Sequence, residues 1–330
     1  MGTNTHKLMK KFIILSHHGK EVRIPDSWEL LTSTQYLKLV NYLLRMDRGE
    51  LSPAEVRIYF VCDLLGLDVH KVEDGLAMEN LLAISEQLTF LFRIVYPDHS
   101  KALQQLPLEE YKVCQRIDPH KLAYPYAKEL EQLDYRYTID LCFCHQLLPE
   151  IYADKERYQG YKVSTDFKTL TCSLTALQYI EARSLLDMGE EELPLLAAIL
   201  YYPGEYSSEG AQRLAHKMAV LPKATLQAIS LNFQAVNNFI FLKTSFSLLT
   251  KFVSRKDAPI NTDAADALYD LAKDGLGTTA QLEQMNLLTY LRILRKKTIE
   301  GVKSLKTSGM DVVKISNEVG LPLNIVKQIV

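Results

Sequence analysis

Apolar residues recur at helical spacing along most of this chain. The spacing covers segments 34–46, 53–65, 78–95, 193–202, 211–220, 222–253, 262–273 and 279–302. Apolar positions that repeat every three to four residues predict amphipathic helices that bury one face against each other. Another apolar and aromatic stretch, 122–151, is predicted to be helical in part. We therefore expect a mainly α-helical protein with a bundle-like helical body.

Two segments carry a strand pattern instead. Residues 10–24 run "KKFIILS", "HHGK" and "EVRI", which predicts a small N-terminal β-hairpin with Gly19 in its turn. Pro25 is expected to end the second strand, since proline cannot donate to a strand ladder. Segment 160–175 is rich in β-branched residues and poor in helix formers, which predicts a short central strand pair.

The chain is long enough for more than one domain. Its 330 residues are predicted to form a hairpin with a first helical half over 1–155 and a strand-led second half over 156–253. Residues 254–330 are predicted to be a linker and a C-terminal helical tail. The linker is "SRKDAPINT", 254–262, with 97–107 as a second candidate.

A helix-start device follows the hairpin in the stretch "LTSTQYLKL", 31–39. Thr32 is a good N-cap and Gln35 stands three residues later, which predicts a capping box. Leu31 and Tyr36 flank the box as a hydrophobic staple. The stretch "LSPAEV", 51–56, repeats the device with serine and glutamate.

The only tryptophan, Trp28, stands between Pro25 and this helix start. We expect its large ring to be buried where the hairpin meets the first helices.

The same pattern returns downstream. The stretch "LTALQYIEA", 174–182, matches 31–39 at leucine, threonine, glutamine and tyrosine, so its counterparts are Thr175, Gln178 and Tyr179. Each copy follows a strand-like segment and precedes an apolar helix. Two explanations remain open: an internal duplication that pairs two strand-plus-helix units, or independent use of a common capping motif.

Composition favours a soluble, cytoplasmic protein with protein partners. The net charge is −2 and the pI is near 6.5, so affinity for nucleic acid or anionic membranes is not expected. No apolar stretch approaches the roughly 20 residues of a membrane span. The odd number of scattered cysteines fits a reducing compartment. The 18 tyrosines against 11 phenylalanines raise the expectation of an interaction surface.

Candidate chemical groups are sparse. "CFCH", 142–145, has one residue between its cysteines and no second ligand pair, so a buried helix bearing thiols is expected rather than a zinc site. His17 and His18 fit a solvated hairpin turn, and Asp263, Asp266 and Asp270 fit a solvated helix face. The sequence has no phosphate-binding glycine loop, GxSxG or HExxH motif. We expect a non-enzymatic protein without cofactor or metal.

The C-terminal tail is apolar for a chain end. A basic stretch runs from Arg292 to Lys306, and 311–330 has the outline of a helix–turn–helix. We expect the tail either to pack on the body or to form a self- or partner-association face. The candidate face comprises Leu287, Leu291, Leu294, Ile325 and Ile329.

DNA binding is the alternative for the tail, although nucleic acid is not the expected partner. A recognition helix needs basic or amide side chains. The second helix of the outline offers Asn324, Lys327 and Gln328.

The stretch "IPDSWELLTSTQYLKL" resembles the N-terminal signature of tail-assembly-chaperone-like proteins of tailed phages and prophages, particularly Bacteroidetes-type elements. The matching residues are Ile24, Pro25, Ser27, Trp28, Leu31, Thr32, Gln35 and Tyr36. "DFKTLTCSLTALQYIEA", "LPLLAAILYYPGEY" and "MAVLPKATLQAISLNF" resemble the middle section of the family. The resemblance covers about 20–250 in patches, and the 254–330 tail has no counterpart in it.

This resemblance implies a non-enzymatic tail morphogenesis protein that binds other tail proteins as an assembly chaperone in the host cytoplasm. A structural subunit retained in a phage tail or a tail-like injection machine is the alternative. The third possible function is that of a nucleic-acid-binding regulator that uses the C-terminal hairpin.

Overall fold

The computed structural model describes residues 12–17, 20–72, 74–96, 103, 106–250 and 263–330. The chain is mainly helical with small two-stranded antiparallel sheets, which confirms the predicted fold class. It divides into two compact units, of which the first ends at Asp140 and the second begins at Leu141. The predicted boundary between the first two domains is residue 155, whereas the observed boundary is residue 140. The C-terminal tail belongs to the second unit. The predicted linker, 254–262, lies outside the described residues.

The first unit opens with the predicted hairpin, whose strands pair with Ile13 opposite Ile24. Its elements are β1 (Phe12–His17), β2 (Lys20–Pro25), α1 (Ser33–Asp47), α2 (Pro53–Leu65), α3 (Gly75–Glu86), β3 (Phe92–Val95), α4 (Leu108–Cys114), α5 (Ala127–Glu131) and β4 (Arg136–Ile139). The helices α1 and α2 agree closely with the predicted segments, because both start at strong caps.

The predicted helix 78–95 is wrong in its second half. Helix α3 ends at Glu86, and residues 92–95 form β3, which pairs antiparallel with β4. In β3, Phe92 and Ile94 are buried while Arg93 is exposed, the alternation of a strand with one covered face. The partner strand lies more than 40 residues away, so the pattern near β3 gives no local sign of it. The stretch 122–151 likewise contains only the short helix α5, followed by strands and irregular backbone.

The second unit contains two hairpins followed by helices. Its elements are β5 (Glu150–Ala153), β6 (Glu156–Gln159), β7 (Val163–Ser164), β8 (Thr171–Cys172), α6 (Ala176–Leu185), α7 (Leu193–Leu200), α8 (Ser208–Met218), α9 (Lys223–Lys243), α10 (Asp263–Lys273), α11 (Thr279–Glu283), α12 (Leu287–Thr307), α13 (Val312–Val319) and α14 (Leu323–Ile329). The pair β7–β8 confirms the predicted central strand insert.

The predicted helix 279–302 is two helices, α11 and α12. They are separated at residues 284–286, where the side chain of Asn286 accepts a hydrogen bond from the Leu288 amide and caps α12. Apolar periodicity continues across the break, because both helices bury leucines. The periodicity alone therefore gives no sign of the interruption.

Helix α9 organises an irregular segment, 141–149, through two asparagines. Asn232 is almost fully buried, and its side chain accepts from the Leu147 amide at 2.9 Å and donates to the His145 carbonyl at 2.8 Å. Asn238 donates to the Leu141 carbonyl at 2.8 Å. Buried backbone groups require such partners when no helix or sheet supplies them. These bonds take the place of secondary structure in the segment.

Candidate interaction surface

Trp28 lies at the junction between the hairpin and the first helices of the first unit. Its side chain is 4% exposed, which confirms the predicted burial. The indole meets Tyr36 edge-on at 6.3 Å between ring centroids and Phe90 edge-on at 5.5 Å. Such perpendicular contacts are a favoured geometry for aromatic pairs. Pro25, at the end of β2, is also buried.

The capping box after this junction has the predicted geometry. The Gln35 amide donates to Thr32 Oγ1 at 3.2 Å, and the Thr32 amide donates to Gln35 Oε1 at 2.9 Å. Leu31 and Tyr36, the predicted staple, are both buried. Each bond satisfies an amide that the first turn of a helix leaves without an internal partner.

The second copy of the motif forms the same box within the second unit. The Gln178 amide donates to Thr175 Oγ1 at 3.2 Å, and the Thr175 amide donates to Gln178 Oε1 at 3.1 Å. Gln178 also donates to the Ile199 carbonyl, which ties α6 to α7. Tyr179 donates to Asn237 of α9 at 2.7 Å, and burial raises the pKa of its phenol.

The shared cap geometry does not distinguish duplication from convergence. The backbone of Thr32 (φ −74°, ψ 159°) and that of Thr175 (φ −79°, ψ 165°) nearly coincide. The boxes at Ser52 and Thr278 have the same conformation, although neither belongs to the repeated motif. Capping boxes as a class adopt this geometry. The duplication therefore remains a prediction.

The junction of the second unit holds the start of the tail. The Ala176 amide donates to the Met285 carbonyl at 2.8 Å, and the Leu287 amide donates to the Leu174 carbonyl at 2.9 Å. Asn286 adds a side-chain bond to the Cys172 carbonyl at 2.6 Å. The segment before α12 thus pairs antiparallel with the cap of α6.

This packing removes two leucines from the predicted association face. Leu287 is fully buried and Leu291 is 2% exposed, so both hold α12 against its own unit. Leu294, Ile325 and Ile329 are partly buried. The apolar stripe of α12 is therefore used within the chain, which agrees with the first of the two outcomes expected for the tail.

The helices α13 and α14 form a terminal hairpin, residues 312–329. They pack on the second half of α12 around the buried side chains Val302, Ile315, Leu321 and Val326. Gly320, at the turn, has a φ of +71°, a left-handed conformation that glycine adopts without strain.

The terminal hairpin and the residue after it also expose apolar side chains. Val313 is 50% exposed, Leu323 is 37% exposed and Val330 is 48% exposed. Asn324, Lys327 and Gln328 are exposed along α14 as well. The sequence analysis selected Leu287, Leu291, Leu294, Ile325 and Ile329 instead, because periodicity identifies an apolar face without showing what covers it.

The chemical candidates do not converge on a site in the described residues. Cys142 is partly exposed and Cys144 is buried, but both lie in irregular backbone, so the expected helix is absent there. No group of three or more histidine, cysteine or acidic side chains placed to hold a metal occurs among them. His18 and the side chains of His17, Asp263 and Asp266 lie outside the described residues.

The strongest perturbations of titratable groups arise from burial. Burial raises the pKa of the Cys172 thiol to about 11 and that of Tyr290 to about 12.

In the first unit, Arg57 lies over the rings of Phe92, at 5.2 Å, and Tyr137, at 5.8 Å. Desolvation lowers the pKa of this guanidinium. Such ring contacts are attractive cation–π interactions.

Within the described part of the chain, no helix combines the length and the apolar character needed to cross a membrane. No family model, curated protein or solved structure matches this chain.

Proposed function

We propose that this chain is a non-enzymatic tail morphogenesis protein of a phage or prophage that binds other tail proteins as an assembly chaperone. The proposal rests on the residue pattern of 24–36. The observation that favours a binding role is the exposure of apolar side chains at the terminal hairpin. Val313 and Leu323 are exposed, whereas Ile315 and Val326 of the same helices are buried.

The physical logic is that of helix-to-helix recognition. An apolar side chain on a short helix loses contact with water when a partner helix covers it, and this stabilises the complex. A long helical tail protein would offer such a partner before it is assembled. The inner face of the terminal hairpin holds the fold, which leaves the outer residues available for binding.

Co-expression with phage tail proteins followed by co-purification tests the proposal. The tape-measure protein is expected to co-purify with the wild type. Val313→Lys and Leu323→Lys should each weaken the complex at least tenfold without lowering the unfolding midpoint. Gln328→Lys is the matched control, since it adds the same charge at an exposed polar position of α14. Unchanged binding by both lysine variants would contradict the assigned surface.

Mass spectrometry of purified particles separates the two assembly roles. A chaperone should be absent from finished particles, whereas the alternative, a structural subunit, should be present in stoichiometric amount. A chain that copurifies with no tail protein and lies far from tail genes would contradict both.

Nucleic-acid binding is a second candidate that one observation favours. Asn324, Lys327 and Gln328 lie exposed on α14, the second helix of a helix–turn–helix outline. A titration with duplex DNA at low salt tests it. Binding that weakens steeply with salt and is lost in Lys327→Glu would favour a regulator over a tail protein.

A further inference from the structure

A charged pocket in the second unit has no part in the proposed function. The cavity measures about 290 Å³ and lies among the turn between β7 and β8, the end of α9 and the first turns of α12. Lys168, in the turn, and Arg292 and Arg295, on α12, are among the residues that line it. Phe246 and Leu288 are nearly buried and form an apolar lining.

The three cations of this pocket differ from their neighbours on α12 in their ion pairs among the described residues. Among the described residues, no carboxylate lies within ion-pair distance of Lys168, Arg292 or Arg295, and no acidic residue lines the cavity. The next two cations of α12 differ: Lys296 pairs with Glu300, and Lys297 pairs with Asp274. The described part of the chain therefore supplies no acidic partner for the positive charge in this pocket.

The arginines of the pocket are presented together. Arg292 and Arg295 are three residues apart on α12, so their side chains share one face of the helix. Arg295 Nε donates to the Ser245 carbonyl at 3.1 Å, which orients its guanidinium. That bond uses one of the five donors of the group. The other four donors of the guanidinium are not used by this bond.

Lys168 occupies a backbone position that favours glycine. Its φ is +59°, a left-handed conformation that is uncommon for a residue with a side chain. Glycine or asparagine would adopt it with less strain. Lysine is therefore not the residue that this backbone conformation favours, and it lines the pocket.

We propose that this pocket binds a phosphate group, supplied either as inorganic phosphate or as the phosphomonoester of a small molecule. Three positive charges match a dianion better than the single charge of a carboxylate. Guanidinium groups donate paired hydrogen bonds to phosphate oxygens. The volume is near the lower limit for small-ligand sites, which suits a phosphate with a small apolar attachment against Phe246 and Leu288.

Isothermal titration of the full chain with inorganic phosphate and with phenyl phosphate tests the proposal, with sulfate-free chloride buffer as background. We expect millimolar or tighter binding of at least one probe. Equal affinities would identify free phosphate as sufficient. Tighter binding of phenyl phosphate would add a contribution from the apolar lining. Both results support a phosphate site.

Two glycine variants distinguish a binding role from a structural one. Lys168→Gly removes the ammonium group and relieves the left-handed strain, so the affinity should fall at least tenfold while the unfolding midpoint stays equal or rises. Lys155→Gly is the matched control, because Lys155 is also a lysine with positive φ, +65°, in the turn between β5 and β6. Lys155 does not line the cavity, so the Lys155→Gly variant should bind the phosphate probe with the affinity of the wild type.

Arg292→Gln provides an independent variant, since it removes a pocket charge from an exposed position of α12. It should also weaken binding of the phosphate probe at least tenfold. Three results would overturn the proposal: no heat of binding with either probe, unchanged affinity in Lys168→Gly and Arg292→Gln, or pocket-dependent binding of DNA or an acidic peptide with no binding of phosphate. None of these results depends on whether a tail protein is bound.

Discussion

Replacing Trp28 by alanine tests how the hairpin is joined to the helices of the first unit. The indole is 4% exposed and meets Tyr36 and Phe90 edge-on. Truncation of a large buried aromatic side chain costs about 3–5 kcal/mol. The two edge contacts account for roughly 0.5–1.5 kcal/mol each within that loss. Because whole domains are stable by only about 5–15 kcal/mol, the first unit should become marginal.

The measurement is urea unfolding followed by far-UV circular dichroism, with the wild type also followed by fluorescence. Trp28 is the only tryptophan, so the emission of the wild type reports on the first unit alone. Its native emission should be shifted to short wavelength and should move to longer wavelength on unfolding. Trp28→Phe is the matched variant, since it keeps an aromatic ring and should lose less stability than alanine.

Two results would refute the reasoning about Trp28. Native emission close to that of free tryptophan would contradict burial. A loss below about 1 kcal/mol in Trp28→Ala would show that the neighbouring side chains close the site, because a cavity that collapses costs far less than one that remains open.

Three further predictions concern Asn232, two helix caps and Cys172. Asn232→Ala leaves the buried partners of both its hydrogen bonds unsatisfied and should cost about 2–5 kcal/mol in urea unfolding; a loss like that of a surface residue would contradict the role given to this side chain. Thr32→Ala and Thr175→Ala should each cost about 1 kcal/mol, since each removes a cap; no loss at either site would show that water replaces the hydroxyl. Burial raises the pKa of the Cys172 thiol from 9.0, its value in the unfolded chain, to about 11. The protonated thiol therefore contributes about 2–3 kcal/mol to the free energy of unfolding below pH 9, and this contribution is lost as the pH rises toward 11. Over that range the wild type should therefore lose stability more steeply than Cys172→Ala; parallel curves would contradict the shift.

Local signals made much of this fold predictable. The caps at Thr32, Ser52 and Thr175 fixed three helix starts, because a capping box involves residues only three positions apart. The strand β3 was missed because its partner β4 is distant in sequence. The sequence could not choose between packing on the body and an association face for Leu287 and Leu291, since the residues that cover α12 come from distant parts of the chain.

The phosphate pocket could not be predicted as a site. The basic residues of α12 were visible in the sequence, but nothing there separates Arg292 and Arg295 from Lys296 and Lys297, which form ion pairs. The contribution of Lys168 depends on a turn more than 120 residues earlier. Only the fold brings these charges into one cavity.

The pairing of residues 174–176 with 285–287 has a consequence for synthesis on the ribosome. Asn286 bonds to Cys172 across a separation of 114 residues. Contacts this distant close a long loop, which is slow to form and depends on the whole intervening chain. The first unit is complete once Asp140 has left the exit tunnel, whereas the cap of α6 has its backbone partners only after Leu287 has emerged. Until then, the Leu174 carbonyl and the Ala176 amide are satisfied by water, and the apolar surface destined to meet α12 is open to any chaperone that acts during translation.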